Sequence, residues 1–471
     1  MAQHRRKPNR EGEASASGIL NKGDTTITGL ARAGRHEQAV HAATAVLAAE
    51  GLNPANRLSL LAQRIDSLLA LLRLNDAEVD ANAMLALAKT TKSVAEEALA
   101  LTWLAHVQTR QERAEVGQAT ADAALAAARR SRQSELIALA LLRQAAAIFL
   151  RKPTEAAAAA DEAARRFAEL GQTALQGQAL RVLAAARMSQ DDAPEHRALM
   201  QQAIALARAS GDGGGEARAL NSLYSSDPDL AQRVRGLHQA LRVAQSAGDL
   251  QQQMSALHNL ALTYNQLGLH RRAVRLMQQS IALREAQARP VAMLNPYSIL
   301  ISLHAKLGQR AAFEAVLARA EAAQALAQQQ DPGPQVDLAA TAWRTRAARW
   351  LSPAQGVARW RSGWRLWRAG GPAWSRPLVL AMLAQAELRA GHASAALRAS
   401  AQAVQELLAQ HGRAGGGAES HAHVWWQHAC ALQANGRAAQ AAAATETAYS
   451  LLVQATAALG DEGLRRSALH A

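Results

Sequence analysis

Six of the nine tryptophans of this 471-residue chain fall between residues 343 and 376. They are Trp343, Trp350, Trp360, Trp364, Trp367 and Trp374, and the same stretch holds eight arginines and no acidic residue. On a helix Trp360, Trp364 and Trp367 form one stripe at i, i+4 and i+7, and Arg361, Arg365 and Arg368 form a second stripe about 100° further round. Two chemistries fit this pattern. The tryptophans pack into a core while the arginines stay solvated or stack on ring edges. Alternatively the segment is an anion or nucleic-acid patch, with Arg contacting phosphate and Trp stacking on bases. The packing reading is favoured. A membrane-surface role fits poorly because too little of the segment is apolar.

Other reactive residue types do not assemble into a site. His421, His423 and His428 cluster around Trp425 and Trp426, but no carboxylate or second cluster completes a metal shell, so no metal is expected. Cys430 is the one cysteine, which excludes an internal disulfide and a cysteine-based zinc site. It reads as a small buried residue. There is no G-x-S-x-G, no H-E-x-x-H and no recognisable pair of catalytic carboxylates. The stretches Gly211-Asp-Gly-Gly-Gly-Glu216 and Ala414-Gly-Gly-Gly-Ala-Glu419 lack the lysine of a phosphate-binding loop and follow no strand. They read as flexible connectors. The chain is expected to be no enzyme and to carry no cofactor.

The composition says what kind of scaffold holds these residues. Roughly a quarter of the chain is Ala, the strongest helix former, while aromatics are only 3%. β-branched residues are sparse and no stretch alternates apolar and polar for long, so the class is all-α. Net charge is +14, from 52 basic and 38 acidic side chains. Only six of the basic residues are Lys. An Arg-plus-Ala excess is what a GC-rich genome produces, and compositional drift is favoured over a functional basic surface. The N-terminus is basic but no apolar core follows it, so no secretory signal is read, and no run of 18 apolar residues exists to span a membrane. A cytoplasmic, reducing compartment and no membrane partner are expected.

A turn signal returns along most of the chain. Gly34, Gly268, Gly308, Gly391 and Gly436 each close a helical stretch, and a small or apolar residue follows five positions later: Ala39, Ala273, Phe313, Ala396 and Ala441. Further turns are expected near Asn75, Glu112, Lys152, Asp191, Asp227-Pro228 and Leu351-Ser352, at steps of about 36 to 45 residues, the range of two-helix repeats. Pro153, Pro194, Pro228 and Pro353 fall just after such turns, where a first-turn proline costs nothing. The segment Gln328-Gln-Gln-Asp-Pro-Gly-Pro-Gln335 is the strongest linker signal. The expected organisation is a disordered basic arm over 1–23 and a repeat array over 24–331. Its continuation, with the Trp/Arg-rich hairpin, covers 332–459, and a tail covers 460–471.

The clearest unit runs from Ser255 to Leu283, SALHNLALTYNQLGLHRRAVRLMQQSIAL. Leu257, Leu260, Ala261 and Tyr264 share one face of its first helix, and Ala273, Met277 and Ser280 line the inner face of the second. This order of small and large residues resembles the tetratricopeptide repeat. Trp425, Ala429, Leu432, Gly436, Ala441 and Ala448 repeat it, as do Ala384, Gly391, Ala396 and Ala403. The long period is similar to that of tetratricopeptide-like sensor segments of bacterial signalling regulators, and the end, Asp461-Glu-Gly-Leu-Arg-Arg-Ser467, resembles the tail that closes such arrays. The resemblance implies a right-handed α-solenoid of about 10–11 antiparallel helical hairpins. It implies a non-catalytic protein-interaction role, with any output domain missing or separately encoded. First-helix side chains would then line a concave groove for a protein or peptide partner. The candidates are Ser255, His258, Asn265, Gln266, Asn295, Ser298, Ser302, Lys306, Gln385, Arg389, Trp426 and Gln433. Nucleic acid is the less favoured partner.

Overall fold

The computed structural model describes residues 27–49, 51–111, 113–188, 193–285, 290–330, 376–409, 417–457, 459 and 461–469, with single positions between 354 and 368. The arm at 1–23, the boundary at 331–332 and the turns expected at Asp191 and Leu351-Ser352 lie outside the described residues.

After a helical segment at 27–32, the chain forms α1 (His36–Leu47), α2 (Pro54–Ala70), α3 (Leu74–Thr91), α4 (Val94–Arg110), α5 (Ala114–Ser131), α6 (Ser134–Ile148), α7 (Pro153–Glu169), α8 (Thr173–Met188), α9 (Ala193–Ser210) and α10 (Gly213–Ser225). There follow α11 (Leu230–Ser246), α12 (Leu250–Gln266), α13 (His270–Glu285), α14 (Pro290–Lys306), α15 (Arg310–Gln330), α16 (Arg376–Arg389), α17 (Ala393–Ala409), α18 (Gly417–Ala434), α19 (Ala438–Ala457) and α20 (Glu462–Leu469). No strand occurs among the described residues. The chain is an all-α array of antiparallel helical hairpins.

Local chemistry accounts for the hairpins. Gly34, Gly268, Gly308, Gly391 and Gly436 all have φ between 69° and 79°, the left-handed region where a Cβ is penalised. At Gly268 the next amide, Leu269, donates to the Tyr264 carbonyl at 2.9 Å, and Gly268 donates to Asn265 at 3.1 Å, which satisfies carbonyls the helix end leaves free. The partner five residues on is buried in every case. Pro153 opens α7, and Pro54 opens α2 beneath an Asn53 side chain that accepts the Asn56 amide at 2.8 Å. α7 shows how alanine builds the interior: Ala156, Ala157, Ala160, Ala163, Ala164 and Phe167 form its buried stripe.

Three local details differ from the sequence reading. The turn expected at Asn75 lies at residues 71–73, and Asn75 belongs to the first turn of α3. Gly213, Gly214 and Gly215 are the first turn of α10, held by Asp212, whose carboxylate accepts the Gly215 amide at 2.8 Å. A side-chain cap overrides the weak helix propensity of glycine there. Pro296 sits inside α14, where it withholds one helix hydrogen bond while the helix continues.

The chain divides into two compact units, one of Met1–Leu223 with Gln239–Gln253 and one of Tyr224–His238 with Met254–Ala471. In unit 1 the helices from α1 to α9 each pack on the next, and the first helices α2, α4, α6 and α8 also pack on one another. This stacks the first helices side by side along the unit. Unit 1 also folds back on itself: His36 Nε2 lies 2.9 Å from the Ala247 carbonyl, and Gly34 packs directly on Gly248. In unit 2, α16 and α18 repeat the first-helix contact.

Candidate functional site

Residues expected to line a groove belong to the first helices of unit 2, and the structure joins some of them. Asn265 ends α12 and Lys306 ends α14, and the Lys306 ammonium donates to Asn265 Oδ1 at 2.9 Å across 41 residues of sequence. Gln266 accepts from Arg233 at 2.9 Å. Ser255, His258 and Ser302 are half-buried, whereas Ser298 is fully buried. Asn295, Gln385, Arg389 and Gln433 are exposed, and Trp426 keeps 50% of its surface in solvent. Burial, and then the nearby Lys306 charge, hold both His270 and His423 below the usual histidine range. Lys306 thus ties the α14–α15 hairpin to the α12–α13 hairpin.

The Trp/Arg segment is partly committed to packing. Trp360 is buried against Val357, Leu383, Ala384 and Ala386, and Trp364 packs on this cluster and on the next one around Leu380 and Val404. Arg361 grips Glu387 with two bonds, at 2.7 and 3.0 Å, and His392 Nδ1 lies 2.8 Å from the same carboxylate. Arg365 and Arg368 are exposed. Trp343, Trp350, Trp367 and Trp374 lie outside the described residues. Of the histidine cluster, His428 pairs with the Ser400 hydroxyl at 3.0 Å and meets Trp425 edge-on.

A row of arginines on the first helices of unit 1 is one feature that sequence reasoning missed. Arg110, Arg143, Arg181 and Arg218 come from α4, α6, α8 and α10, four successive first helices of unit 1. Arg143 is only 7% exposed, and its guanidinium lies over the Trp103 ring, 5.8 Å from the centroid. Trp103 in turn meets His106 edge-on at 6.1 Å. Arg218 has a carboxylate nearby, Asp249 at 3.6 Å. Among the described residues no carboxylate comes within ion-pairing distance of Arg110, Arg143 or Arg181. Nη2 of Arg110 and Nε of Arg143 are buried without a hydrogen-bond partner.

The shared field of these first helices shows in the acidity of their groups. Burial brings Arg110 and Arg143 down to about 10 and Arg181 to about 9; repulsion by Arg218 adds to this, while Asp66 pulls Arg143 and Arg110 partly back up. All three remain charged at neutral pH. Burial, reinforced by the arginines, pushes His106 well below the usual histidine value and keeps it neutral. Burial and the neighbouring Asp212 raise Asp66. Asp66 keeps exposed surface while its carboxyl is desolvated. Guanidiniums with free N–H donors in such surroundings are suited to grip an oxyanion. One sequence signal was available. Arg143 interrupts the apolar run Leu136-Ile-Ala-Leu-Ala-Leu-Leu142 and Ala145-Ala-Ala-Ile148, where no ordinary helix face leaves room for a charge.

Comparison with solved structures places the fold. A Rap protein complexed with Competence and Sporulation Factor is similar over 75% of this chain and 98% of that one, at 12% identity and a TM-score of 0.50. Human IFIT1, solved as a dimer with m7Gppp-AAAA, covers 92% of this chain and 90% of its own at 12% identity and a TM-score of 0.43. Yeast Tom70 covers 98% and 95% at 11% identity and a TM-score of 0.34. No protein family model and no curated protein sequence matches.

Proposed function

We propose that this chain is a non-catalytic scaffold that holds a protein or peptide partner on the first-helix side chains of its repeats, as the sensory or regulatory part of a bacterial signalling system. The observation that carries the reading is the Asn265–Lys306 pair. It joins equivalent ends of neighbouring first helices into a polar row that a partner chain could contact. The Rap protein, similar in fold, was solved with a bound factor, and that use of a helical array is transferred here by analogy. In this reading 1–23 is a solvated basic arm, 24–331 and 332–459 are successive parts of one array, and 460–471 is its tail.

The test is affinity capture on the immobilised full chain, run in parallel with Lys306→Glu and Asn265→Ala. A protein or peptide retained by the wild type and released by Lys306→Glu supports the groove. Equal retention by both variants rejects it.

A second reading, nucleic-acid binding through residues 343–376, draws on the exposed Arg365 and Arg368. The burial of Trp360 and the engagement of Arg361 by Glu387 reduce what that face has to offer. If phosphate contacts dominate, affinity for single-stranded DNA or RNA falls steeply with salt and drops further in Arg365→Gln/Arg368→Gln. Absence of binding at low salt removes this reading.

A further inference from the structure

We propose that Arg110, Arg143 and Arg181, on three packed first helices of unit 1, form a binding site for the carboxylate or phosphate group of a small ligand. Three observations converge on it. First, the site is built: Arg143 is more than nine-tenths buried, the Trp103 ring lies beneath its guanidinium, and its Nε has no partner. A buried guanidinium donor without an acceptor is costly, and natural interiors rarely leave one so. Second, Arg110 Nη2, on the neighbouring first helix, is likewise buried without a hydrogen-bond partner. Two unsatisfied donors from first helices that pack on one another, with Arg181 on the next first helix, offer one row of donors to an acceptor group.

Third, two of the three nearby aspartates are engaged elsewhere. Asp249 is spent on Arg218 and on the amide of Gln252, which it accepts at 2.9 Å. Asp212 caps the first turn of α10. Asp66 alone remains to face three guanidiniums. A compact ligand fits because Arg110, Arg143 and Arg181 stand on adjacent first helices, and the His36–Ala247 contact draws the first hairpin onto the turn after α11. A long polyanion would also meet Asp66 and Asp212. The site therefore suits a compact ligand with one oxyanion group, either a free anion or an acidic side chain or terminus of a short peptide.

The test is calorimetric titration of the full chain with inorganic phosphate, with citrate and with a tetraglutamate peptide, each against sodium chloride at equal ionic strength. Saturable binding of phosphate or citrate identifies a free anion. Binding of the peptide alone identifies an acidic peptide group. Either supports the site, provided that Arg143→Gln and Arg181→Gln each weaken it about tenfold or more. No saturable heat with any of the three probes overturns the proposal, as does unchanged affinity in both variants. The thermal midpoint without ligand gives an independent readout. Removing a repelled, unpartnered charge should leave the midpoint of Arg181→Gln equal to or above that of the wild type. A clear fall would make the arginine a structural element instead. If Arg143→Gln does not fold, the wild-type titrations and Arg181→Gln still decide.

Discussion

Glu387 shows how a single side chain is tuned in unit 2. It is 4% exposed, and burial pushes its carboxyl up, but the hydrogen bonds from Arg361 and His392 outweigh this and hold it below the usual range. With a folded pKa below the unfolded one, its stabilisation is fully present above the unfolded value and is lost as pH falls through the folded value. Glu387→Gln should cost about 1–3 kcal/mol at neutral pH, toward the low end because Arg361 and His392 are half-exposed. It should also flatten the acid limb of a urea-midpoint profile. His106 works in the same direction for the opposite reason. It is a base held neutral, so its folded pKa lies below 6.5, and stability is full above 6.5 and falls as pH drops below it. His106→Gln should reduce the loss of denaturation midpoint between about pH 7 and about pH 5, whereas an unchanged slope would mean the ring is not buried among the arginines. Neither environment was legible in the sequence, because each combines residues from separate hairpins.

Among the elements, the turns divide into those that are only strained and those that are also crowded. Gly436 has φ 73° and open space around it, so Gly436→Ala should lose about 1 kcal/mol through backbone strain alone. Gly248 has φ 60°, and a Cβ there would overlap the Gly34 carbonyl. Because backbone meets backbone, the collision cannot be relieved by a rotamer change, and Gly248→Ala should lose about 3 kcal/mol or more, read as a lower thermal midpoint. Gly236→Ala on α11 belongs with Gly248, since its Cβ would fall within the Tyr224 ring. In the sequence these glycines look alike. The turn at Gly436 was foreseen from its spacing, whereas the close approach at Gly248 depends on a residue more than 200 positions away.

At the scale of the whole molecule, the array is held by many small side chains. Along α6, ten residues from Leu136 to Ile148 are buried, Arg143 among them, because this first helix touches its own partner and the first helices on either side. Hydrogen exchange should accordingly be slowest in α6 and fast in the terminal helix α20. Uniform exchange along unit 1 would contradict a core centred on its first helices. The net charge of +14 reads differently once its placement is known. Part of it is not an exposed basic surface: Arg143 is buried and Arg110 and Arg181 are half-buried on neighbouring first helices.

The sequence by itself determined the class, the hairpin period and the register of its turns, because these rest on local rules. Alanine favours helix, glycine alone tolerates the left-handed turn, and proline is harmless only in a first turn. It also marked Leu257, Leu260, Ala261 and Tyr264 as a buried face, since helical spacing is a property of neighbours in sequence. Only the tertiary structure decided that Gly213 opens a helix, that Arg361 is tied to Glu387, and that the helices carrying Arg110, Arg143 and Arg181 pack side by side. The physical reason is range: a side chain's field and its desolvation are set by what lies within a few ångströms in space, and in a helical array those neighbours come from separate hairpins along the chain.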